Sequence, residues 1–166
     1  MKIYLVRHSN AVDAGTPGYE DDSTRPLTGE GRDKMAWIAR ALKKLGIRPD
    51  LIVSSPYIRA RETAEILSKM VKYEKDLVFS DTLVPLGRPE DIVTEIAENY
   101  AVDQLVLVGH EPCLSTLLGF LIAGNPDPAI LIKKGGVCCL SAADLRRERT
   151  AVLEWLLTPK ILSGLK

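Results

Sequence analysis

Residues 2–10 have the sequence KIYLVRHSN, and the rest of the chain is best understood outward from them. Residues 3–6 form a short apolar run rich in β-branched and aromatic side chains, which predicts a buried strand. The run ends at Arg7 and His8, whose side chains are costly to bury without a partner. Ligands of open α/β sheets bind at the carboxyl ends of the strands. An anion is the natural partner here, and phosphate suits the planar guanidinium of Arg7 best.

The composition is that of an ordinary globular protein. Of the 166 residues, 46% are hydrophobic and 27% are charged, which argues against disorder and predicts one domain over residues 1–166. Lys plus Arg and Asp plus Glu number 22 each, so the formal net charge is zero. Because a neutral chain is a poor candidate for binding nucleic acid or an anionic membrane, any cationic site must be local.

The apolar segments and the cysteines favour a cytoplasmic protein. No apolar run approaches the length of a membrane span, and Arg7 and His8 interrupt the N-terminal apolar segment, so we expect neither a span nor a signal peptide. Cys113, Cys138 and Cys139 lack metal-ligand spacing and are interpreted as small buried side chains in a reducing compartment. Cys138 and Cys139 should point to opposite faces of a strand. A reactive thiol at Cys113 is the alternative.

Hydrophobic periodicity predicts strands that alternate with helices. We expect strands at residues 3–6, 50–53, 78–79, 104–108, 137–140 and 150–157. The helices should begin after Thr28, after Pro56, at Pro89 and after Pro112. This order predicts a three-layer α/β/α sandwich with a mainly parallel central sheet. Residues 9–27 show no periodicity, and a loop of this length is usually functional or mobile.

The chain contains only two histidines, His8 and His110, and they follow the two most apolar strands. Because parallel strands end at the same edge of a sheet, the two imidazoles can converge although they are distant in sequence. A lone histidine is more often structural than catalytic. Two at equivalent strand ends, with no others in the chain, favour a catalytic role.

Two arginines fall in the first turn of the second predicted helix, where a cation opposes the helix dipole. An anion bound between the helix N-terminus and a guanidinium would compensate for this. Arg61 is explained more simply by an ion pair with Glu65 at i, i+4. Arg59, which immediately precedes the buried stripe of the helix, is therefore the candidate anion ligand.

Three further polar residues allow more than one interpretation. Arg25, at the end of the long loop, could close over an anion or pair with one of the two aspartates that precede it. Ser9 could donate a hydrogen bond from its hydroxyl or merely cap a turn. Glu111 could orient His110 or remain solvated.

Several motifs in this order resemble those of the histidine phosphatase superfamily. Residues 7–9, RHS, are similar to its RH(G) signature, with Ser where Gly is usual. Residues 54–64, SSPYIRARETA, resemble the S-x-x-x-R-A-x-x-T-A element, and residues 109–111, GHE, resemble the GH element. Residues 25–31, RPLTGEG, resemble a segment of the small bacterial phosphohistidine phosphatases of the SixA type. The likeness runs from residue 2 to about residue 118 and implies a phosphoglycerate mutase-like fold.

The resemblance also implies a covalent mechanism. His8 would be the nucleophile that accepts the phosphoryl group, with Arg7, Arg59 and His110 as its catalytic partners. The residues that would bind the substrate phosphate are Arg7, Arg59, His110, Arg25 and Ser9. Water would then hydrolyse the phosphohistidine intermediate. Because guanidinium groups supply the positive charge that phosphoryl transfer needs, no metal and no other cofactor is expected.

One departure from the family pattern concerns the proton donor. Mutases and many phosphomonoesterases of the superfamily carry a carboxylate in the loop after the third strand, but residues 81–87, DTLVPLG, hold no acid beside Pro85. An imidazole leaving group needs less protonation than an alkoxide. The expected substrate is therefore a phosphohistidine on a partner protein, for which a histidine phosphotransfer domain in signal transduction is one candidate. Asp81 and Glu111 are the two possible proton donors.

Two alternatives to a phosphohistidine phosphatase stay open. A phosphomonoesterase of broad specificity would act on sugar phosphates or other small phosphoesters. A non-catalytic regulatory module would bind an anion on the same fold without turnover.

Overall fold

The computed structural model describes residues 1–143 and 150–165 of the chain. Its strands are β1 (Lys2–Arg7), β2 (Leu51–Ser54), β3 (Val78–Phe79), β4 (Gln104–Gly109), β5 (Val137–Ala142) and β6 (Ala151–Leu157). Its helices are α1 (Gly29–Lys44), α2 (Ile58–Val71), α3 (Pro89–Asn99), α4 (Cys113–Ala123) and α5 (Pro159–Ser163). The six strands form a single sheet in the order β3-β2-β4-β1-β5-β6.

The sheet is mainly parallel, as predicted, but β5 runs the other way and pairs antiparallel with both of its neighbours. β3, β2, β4 and β1 are parallel to one another, whereas β5 is antiparallel to β1 and β6 is antiparallel to β5. After α4, residues 124–136 return the chain to the carboxyl edge of β1, where the Arg7 amide donates to the Gly136 carbonyl at 3.1 Å. β5 therefore starts at this edge and runs in the opposite direction.

The helices begin and end close to the predicted positions. The Thr28 hydroxyl accepts a hydrogen bond from the Gly31 amide at 3.0 Å and caps α1, and Gly46 after its end has a φ of 79° that suits glycine. Pro89 occupies the first position of α3. α5 has only five residues, too few to give a periodic pattern. Among residues 1–143 and 150–165, no helix has the length and hydropathy to cross a membrane.

An apolar core lies on each face of the sheet, between the strands and the helices that cover them. The fold therefore has three layers, with the sheet in the middle. Ile3 and Leu5 pack on one face with side chains of α3 and α4, while Tyr4 and Val6 pack on the other with α1 and α2. Burial of each such large apolar side chain contributes roughly 1.5–3 kcal/mol. The two neighbouring cysteines of β5 divide between the faces in the same way, as predicted.

The long loop of residues 9–27 lies over the carboxyl edge of the parallel strands. Ala11 and Leu27 form an isolated antiparallel bridge that closes the loop at its base. Between them, Asp22–Thr24 form one 3₁₀ turn, and the side chain of Asp21 caps it by accepting from the Ser23 amide at 2.9 Å. The closed base and this turn place Asp22 above the ends of β1 and β2.

Candidate active site

The carboxyl ends of β1 and β4 bring the two histidines together. The strands are adjacent and parallel, with Arg7 opposite Gly109, so the next residue on each is a histidine. The ring centroids of His8 and His110 lie 5.0 Å apart. Both side chains are buried, with 6% of His8 and 1% of His110 exposed. The convergence expected from the sequence is therefore present.

Of the two ring nitrogens of His8, one carries the proton and the other acts as an acceptor. Its Nδ1 lies 2.7 Å from the Ser9 carbonyl oxygen, which can only accept, so Nδ1 carries the proton. Its Nε2 accepts a hydrogen bond from Arg59 Nε at 3.3 Å. Burial and the nearby positive charges of Arg59 and Arg7 lower the pKa of His8 to about 3. The imidazole is therefore neutral at physiological pH, with a lone pair at Nε2.

Within the described part of the chain, only one of the two ring nitrogens of His110 has a hydrogen-bond partner. Its Nε2 lies 2.9 Å from Ser55 Oγ, and the ring of Tyr57 meets it edge-on at 5.1 Å. Its Nδ1 is buried without a hydrogen-bond partner, an arrangement that costs about 1–3 kcal/mol. Burial, followed by the proximity of His8, lowers the pKa of His110 to about 2. A polar atom of a substrate at Nδ1 would remove this cost.

Arg59 is buried at the start of α2 and joins the site to the long loop. Only 3% of the residue is exposed. Besides the bond to His8, its Nη1 donates to the Asp22 carbonyl oxygen at 2.6 Å and its Nη2 to Asp22 Oδ2 at 2.7 Å. Arg61, two residues later, is exposed and pairs with Glu65 at 2.8 Å, as predicted. The ion pair predicted for Arg61 is therefore confirmed, while the role of Arg59 as an anion ligand stays a prediction.

Asp22 is a site residue that the sequence analysis does not single out. Its carboxylate bridges Arg59 and Arg25, whose Nε donates to Oδ1 at 2.8 Å. Burial opposes ionisation, but hydrogen bonds from Arg25 and Arg59 lower the pKa of Asp22 overall. Asp22 lies in a loop without periodicity. The signal available in the sequence is that a buried arginine requires a partner anion.

The structure shows the second of the two interpretations of Arg25, an ion pair with a preceding aspartate. Its guanidinium pairs with Asp22, and its Nη1 donates to the Val12 carbonyl oxygen at 2.5 Å. Arg25 therefore reaches Arg59 only through the carboxylate that they share. As a direct ligand of phosphate it remains a prediction.

Arg7 lies beside the histidines without a hydrogen bond to either ring in the described part of the chain. Its Nη1 donates to the Ile132 carbonyl oxygen at 2.7 Å, while its Nε is buried and unpartnered. Ser9 is fully buried; its amide donates to Thr63 Oγ1 at 3.2 Å, and its hydroxyl has no partner and caps no turn. Unsatisfied donors on both residues are compatible with the predicted binding of an anion.

Glu111 does not orient His110, so that interpretation from the sequence is wrong; the residue is partly exposed, but both carboxylate oxygens are hydrogen-bonded within the protein. Its Oε1 accepts from the Ile132 amide at 3.0 Å and its Oε2 from the hydroxyl of Ser115. The carboxylate thus fixes residues 124–136, the segment that returns to the carboxyl edge, against the start of α4. The sequence could not show this because the amide lies 21 residues away.

The remaining candidates lie outside the cluster of imidazoles and guanidiniums. Asp81 is exposed on a 3₁₀ turn and does not fold inward. Cys113 is buried, and burial raises its pKa to about 12, which argues against the alternative of a reactive thiol. Among residues 1–143 and 150–165, no group of His, Cys, Asp or Glu side chains is arranged to hold a metal ion.

We expect both imidazoles to stay neutral between about pH 5 and 8, because burial disfavours their charged forms. Two-bond ¹H–¹⁵N spectra should show one constant tautomer for each ring over this range. In the unfolded chain both rings titrate near pH 6.5. The free energy of unfolding should therefore decrease below this pH by about 1.4 kcal/mol per pH unit for each histidine, and this contribution should be intact above it.

Urea unfolding at several pH values measures this loss. His110→Asn serves as the comparison, because its slope against pH should lack the contribution of one ring. A ring that titrates near pH 6.5 in the folded protein, or equal slopes for the two proteins, would contradict the expectation.

Sequence comparison identifies a family for this arrangement. Residues 3–83 match the family model of the histidine phosphatase superfamily (branch 1). An uncharacterized protein of Picosynechococcus sp. is 32% identical over 166 aligned residues, which cover 98% of this chain and 99% of that protein. The mitochondrial serine/threonine-protein phosphatase Pgam5 of Drosophila ananassae is 38% identical over 87 residues, which cover 52% of this chain but 29% of that protein.

Solved structures share the fold. The protein histidine phosphatase SixA complexed with tungstate superposes with a TM-score of 0.84 and 22% identity over 100% of both chains. A protein of Agrobacterium tumefaciens, assigned as a phosphohistidine phosphatase SixA, has a TM-score of 0.76 and 29% identity over 95% of this chain and 97% of its own. The alpha-ribazole phosphatase of Shigella flexneri has a TM-score of 0.74 and 16% identity over 96% and 97%. With the family match to residues 3–83 and the paired histidines, these findings establish that the chain belongs to the histidine phosphatase superfamily.

Proposed function

We propose that this protein is a phosphohistidine phosphatase, which takes a phosphoryl group from a protein histidine onto His8 and then releases it to water. The observation that carries the proposal is the neutral Nε2 of His8, 3.3 Å from the Nε of buried Arg59. A nucleophile with a lone pair therefore lies beside the positive charge that phosphoryl transfer requires.

In the first step, Nε2 of His8 attacks phosphorus while the bond from phosphorus to the substrate imidazole breaks. A proton on the other nitrogen of the substrate ring lets that imidazole leave as a neutral group. Arg7, Arg59 and His110 would hold the three equatorial oxygens, whose charge is stabilised by donors already in position.

In the second step, water attacks phosphorus and the bond to Nε2 breaks, while one proton of the water passes to a phosphoryl oxygen and inorganic phosphate leaves. Phospho-His8 keeps its own proton on Nδ1, where the Ser9 carbonyl oxygen accepts it at 2.7 Å. His8 therefore also leaves as a neutral imidazole. The hydrogen bond from Nδ1 to the Ser9 carbonyl oxygen thus keeps the lone pair on Nε2 for the attack in the first step. It also lets His8 leave as a neutral imidazole in the second step.

The carboxylates near the site support a substrate with a phosphorus–nitrogen bond. Asp22 is kept ionised by two arginines, Glu111 is occupied by an amide and a hydroxyl, and Asp81 faces solvent. None of the three is arranged to protonate an alkoxide. An imidazole needs less help to leave, and the likeness to SixA-type proteins agrees with this choice.

A phosphomonoesterase is the second candidate. It is favoured by the likeness to an alpha-ribazole phosphatase and to a serine/threonine-protein phosphatase. A protein substrate, for which a histidine phosphotransfer domain is a candidate, is supported by an exposed apolar side chain near the site. Leu86, in the loop after β3 at the same edge of the sheet, is 85% exposed.

The test compares hydrolysis of phosphohistidine and phosphoserine peptides of otherwise identical sequence by the purified protein. We expect kcat/KM for the phosphohistidine peptide to be higher by roughly a hundredfold or more, since only the alkoxide needs a general acid. Equal values, or a preference for phosphoserine, would favour the phosphomonoesterase instead. Phosphate binding without hydrolysis of either peptide would indicate the non-catalytic module.

Asp22 occupies the same guanidinium nitrogens of Arg59 that a phosphate would use. We expect Asp22→Asn to lower the inhibition constant of inorganic phosphate by roughly tenfold, because a charged competitor for Arg59 is lost. Competition by phosphate during peptide hydrolysis gives this constant.

Asp21→Asn is the matched control, since the carboxylate of Asp21 caps the turn and, among residues 1–143 and 150–165, accepts hydrogen bonds only from Ser23. It should leave the inhibition constant unchanged. If Asp22→Asn binds phosphate more weakly than the wild type, Asp22 organises the arginines and does not compete with phosphate.

A further inference from the structure

A cleft of about 500 Å³ opens beside Arg7 and is lined mainly by cations. We call it the lysine cleft. Its cationic side chains are those of Arg7, Lys34, Lys133, Lys134 and Lys160. Within residues 1–143 and 150–165, none of them forms an ion pair. In a chain of zero net charge, this is a local concentration of unpaired positive charge.

The lysine cleft adjoins the site through the backbone that carries the nucleophile. The Gly135 amide donates to the carbonyl oxygens of both Arg7 and His8 at 3.1 Å, which fixes the two lysines before it next to β1. The Nζ of Lys34 donates to Asn10 Oδ1 at 3.2 Å, two residues after His8. A molecule whose phosphoryl group reaches His8 therefore passes within reach of the lysine cleft.

The acidic groups nearby do not neutralise these cations. Glu111 is near Arg7, but its two oxygens are taken by an amide and a hydroxyl. Glu30 attracts the ammonium group of Lys34 electrostatically, but the two side chains do not form an ion pair. Burial, followed by the positive charges of Lys134 and Arg7, lowers the pKa of Lys34. The cations repel one another, so an arriving anion would gain more here than at an isolated lysine.

The reacting phosphoryl group does not need these lysines, because the arginines and His110 already surround His8. The cleft therefore suits a second anionic group. Lys133, Lys134 and Lys160 are exposed, and Leu131 among them is 64% exposed, so charge and apolar surface occur together. Protein interfaces combine these two features, whereas a second phosphate of a small molecule would gain nothing from Leu131.

We propose that the lysine cleft docks acidic side chains of the phosphoprotein on which the substrate phosphohistidine is carried. This inference rests on the proposed function and names the kind of partner: a protein with carboxylates next to its phosphorylated histidine. Complementary charge would increase the rate of encounter and orient the partner over His8.

The test uses two phosphohistidine peptides of equal length. In one the phosphohistidine is flanked by Glu and Asp, and in the other by Gln and Asn. We expect the wild type to hydrolyse the acidic peptide with a kcat/KM roughly tenfold higher, through a lower KM, and the preference should shrink as salt is added. In the double variant Lys133→Glu with Lys160→Glu, the preference should disappear. Hydrolysis of free phosphohistidine should be unchanged.

The control is the double variant Lys43→Glu with Lys69→Glu. These exposed lysines lie in the last turns of α1 and α2, at the opposite edge of the parallel strands, and carry the same change of charge. It should keep the preference of the wild type. Equal kcat/KM for the two peptides in the wild type, or a preference that survives in the cleft variant, would overturn the proposal. Loss of the preference in the control variant as well would also overturn it, because the effect would then not be specific to the lysine cleft.

Failure of the proposed function gives a different result. In that case free phosphohistidine is not hydrolysed. The lysine cleft is then tested with the same two peptides carrying phosphoserine, by the ratio of kcat/KM for the acidic peptide to kcat/KM for the amide peptide. A small bisphosphate ester provides the last comparison. If it is preferred over its monophosphate while the acidic and amide peptides are hydrolysed equally, the cleft binds a second phosphate and the proposal is wrong.

Discussion

His8→Ala abolishes turnover and removes the phosphoenzyme, with an expected loss in kcat of roughly 10⁴-fold or more. The reason is that no other nitrogen in the described site can replace Nε2. His110 has its Nε2 engaged with Ser55, and its unpartnered Nδ1 lies in the other ring, 5.0 Å away between centroids. The measurement is rapid quenching during turnover of a phosphate-labelled substrate, followed by location of the acid-labile phosphate on the chain.

Two further variants make this result specific to the nucleophile. His8→Gln keeps a polar side chain of similar size, so it separates the loss of Nε2 from a cavity in the buried site. His110→Ala should turn over slowly and still accumulate label on His8, since it loses only a group that would hold oxygen. Near-normal activity in His8→Ala, or label on another residue in the wild type, would show that the nucleophile has been assigned wrongly.

The parts of the site that could be predicted are those set by regular structure. An apolar strand that ends at a histidine places that histidine at the carboxyl edge, and this holds for both His8 and His110. A cation in the first turn of a helix conflicts with the helix dipole. That conflict identified Arg59, while the i, i+4 spacing to Glu65 explained Arg61.

The parts that could not be predicted depend on contacts between segments distant in sequence. Asp22 lies in a loop without periodicity and meets Arg59 only because the loop closes over the edge of the sheet. The direction of β5 depends on where residues 124–136 return, a point that no local pattern encodes. In sequence, Lys133 and Lys134 are an ordinary solvated pair, and they become part of a cationic cleft only when Lys34 and Lys160 are brought beside them.

Arg59→Ala should lower kcat/KM by roughly a thousandfold, because the variant lacks the guanidinium that contacts the nucleophile and would hold the transferring oxygens. Arg61→Ala should change it by less than about twofold, since an exposed ion pair contributes only about 0–1 kcal/mol to stability and does not touch His8. Steady-state kinetics on the phosphohistidine peptide measure both. The two residues lie on the same turn of α2, so the pair is its own control for disturbance of the helix.

A third variant, Arg59→Lys, separates charge from geometry. Lysine restores one positive charge but not the planar fork, whose Nε reaches His8 while Nη1 and Nη2 reach Asp22. We expect it to recover only a small part of the loss, and mainly in KM. Full rescue by lysine would mean that Arg59 supplies charge alone. Equal losses in Arg59→Ala and Arg61→Ala would mean that the buried guanidinium stabilises the loop and takes no part in phosphoryl transfer.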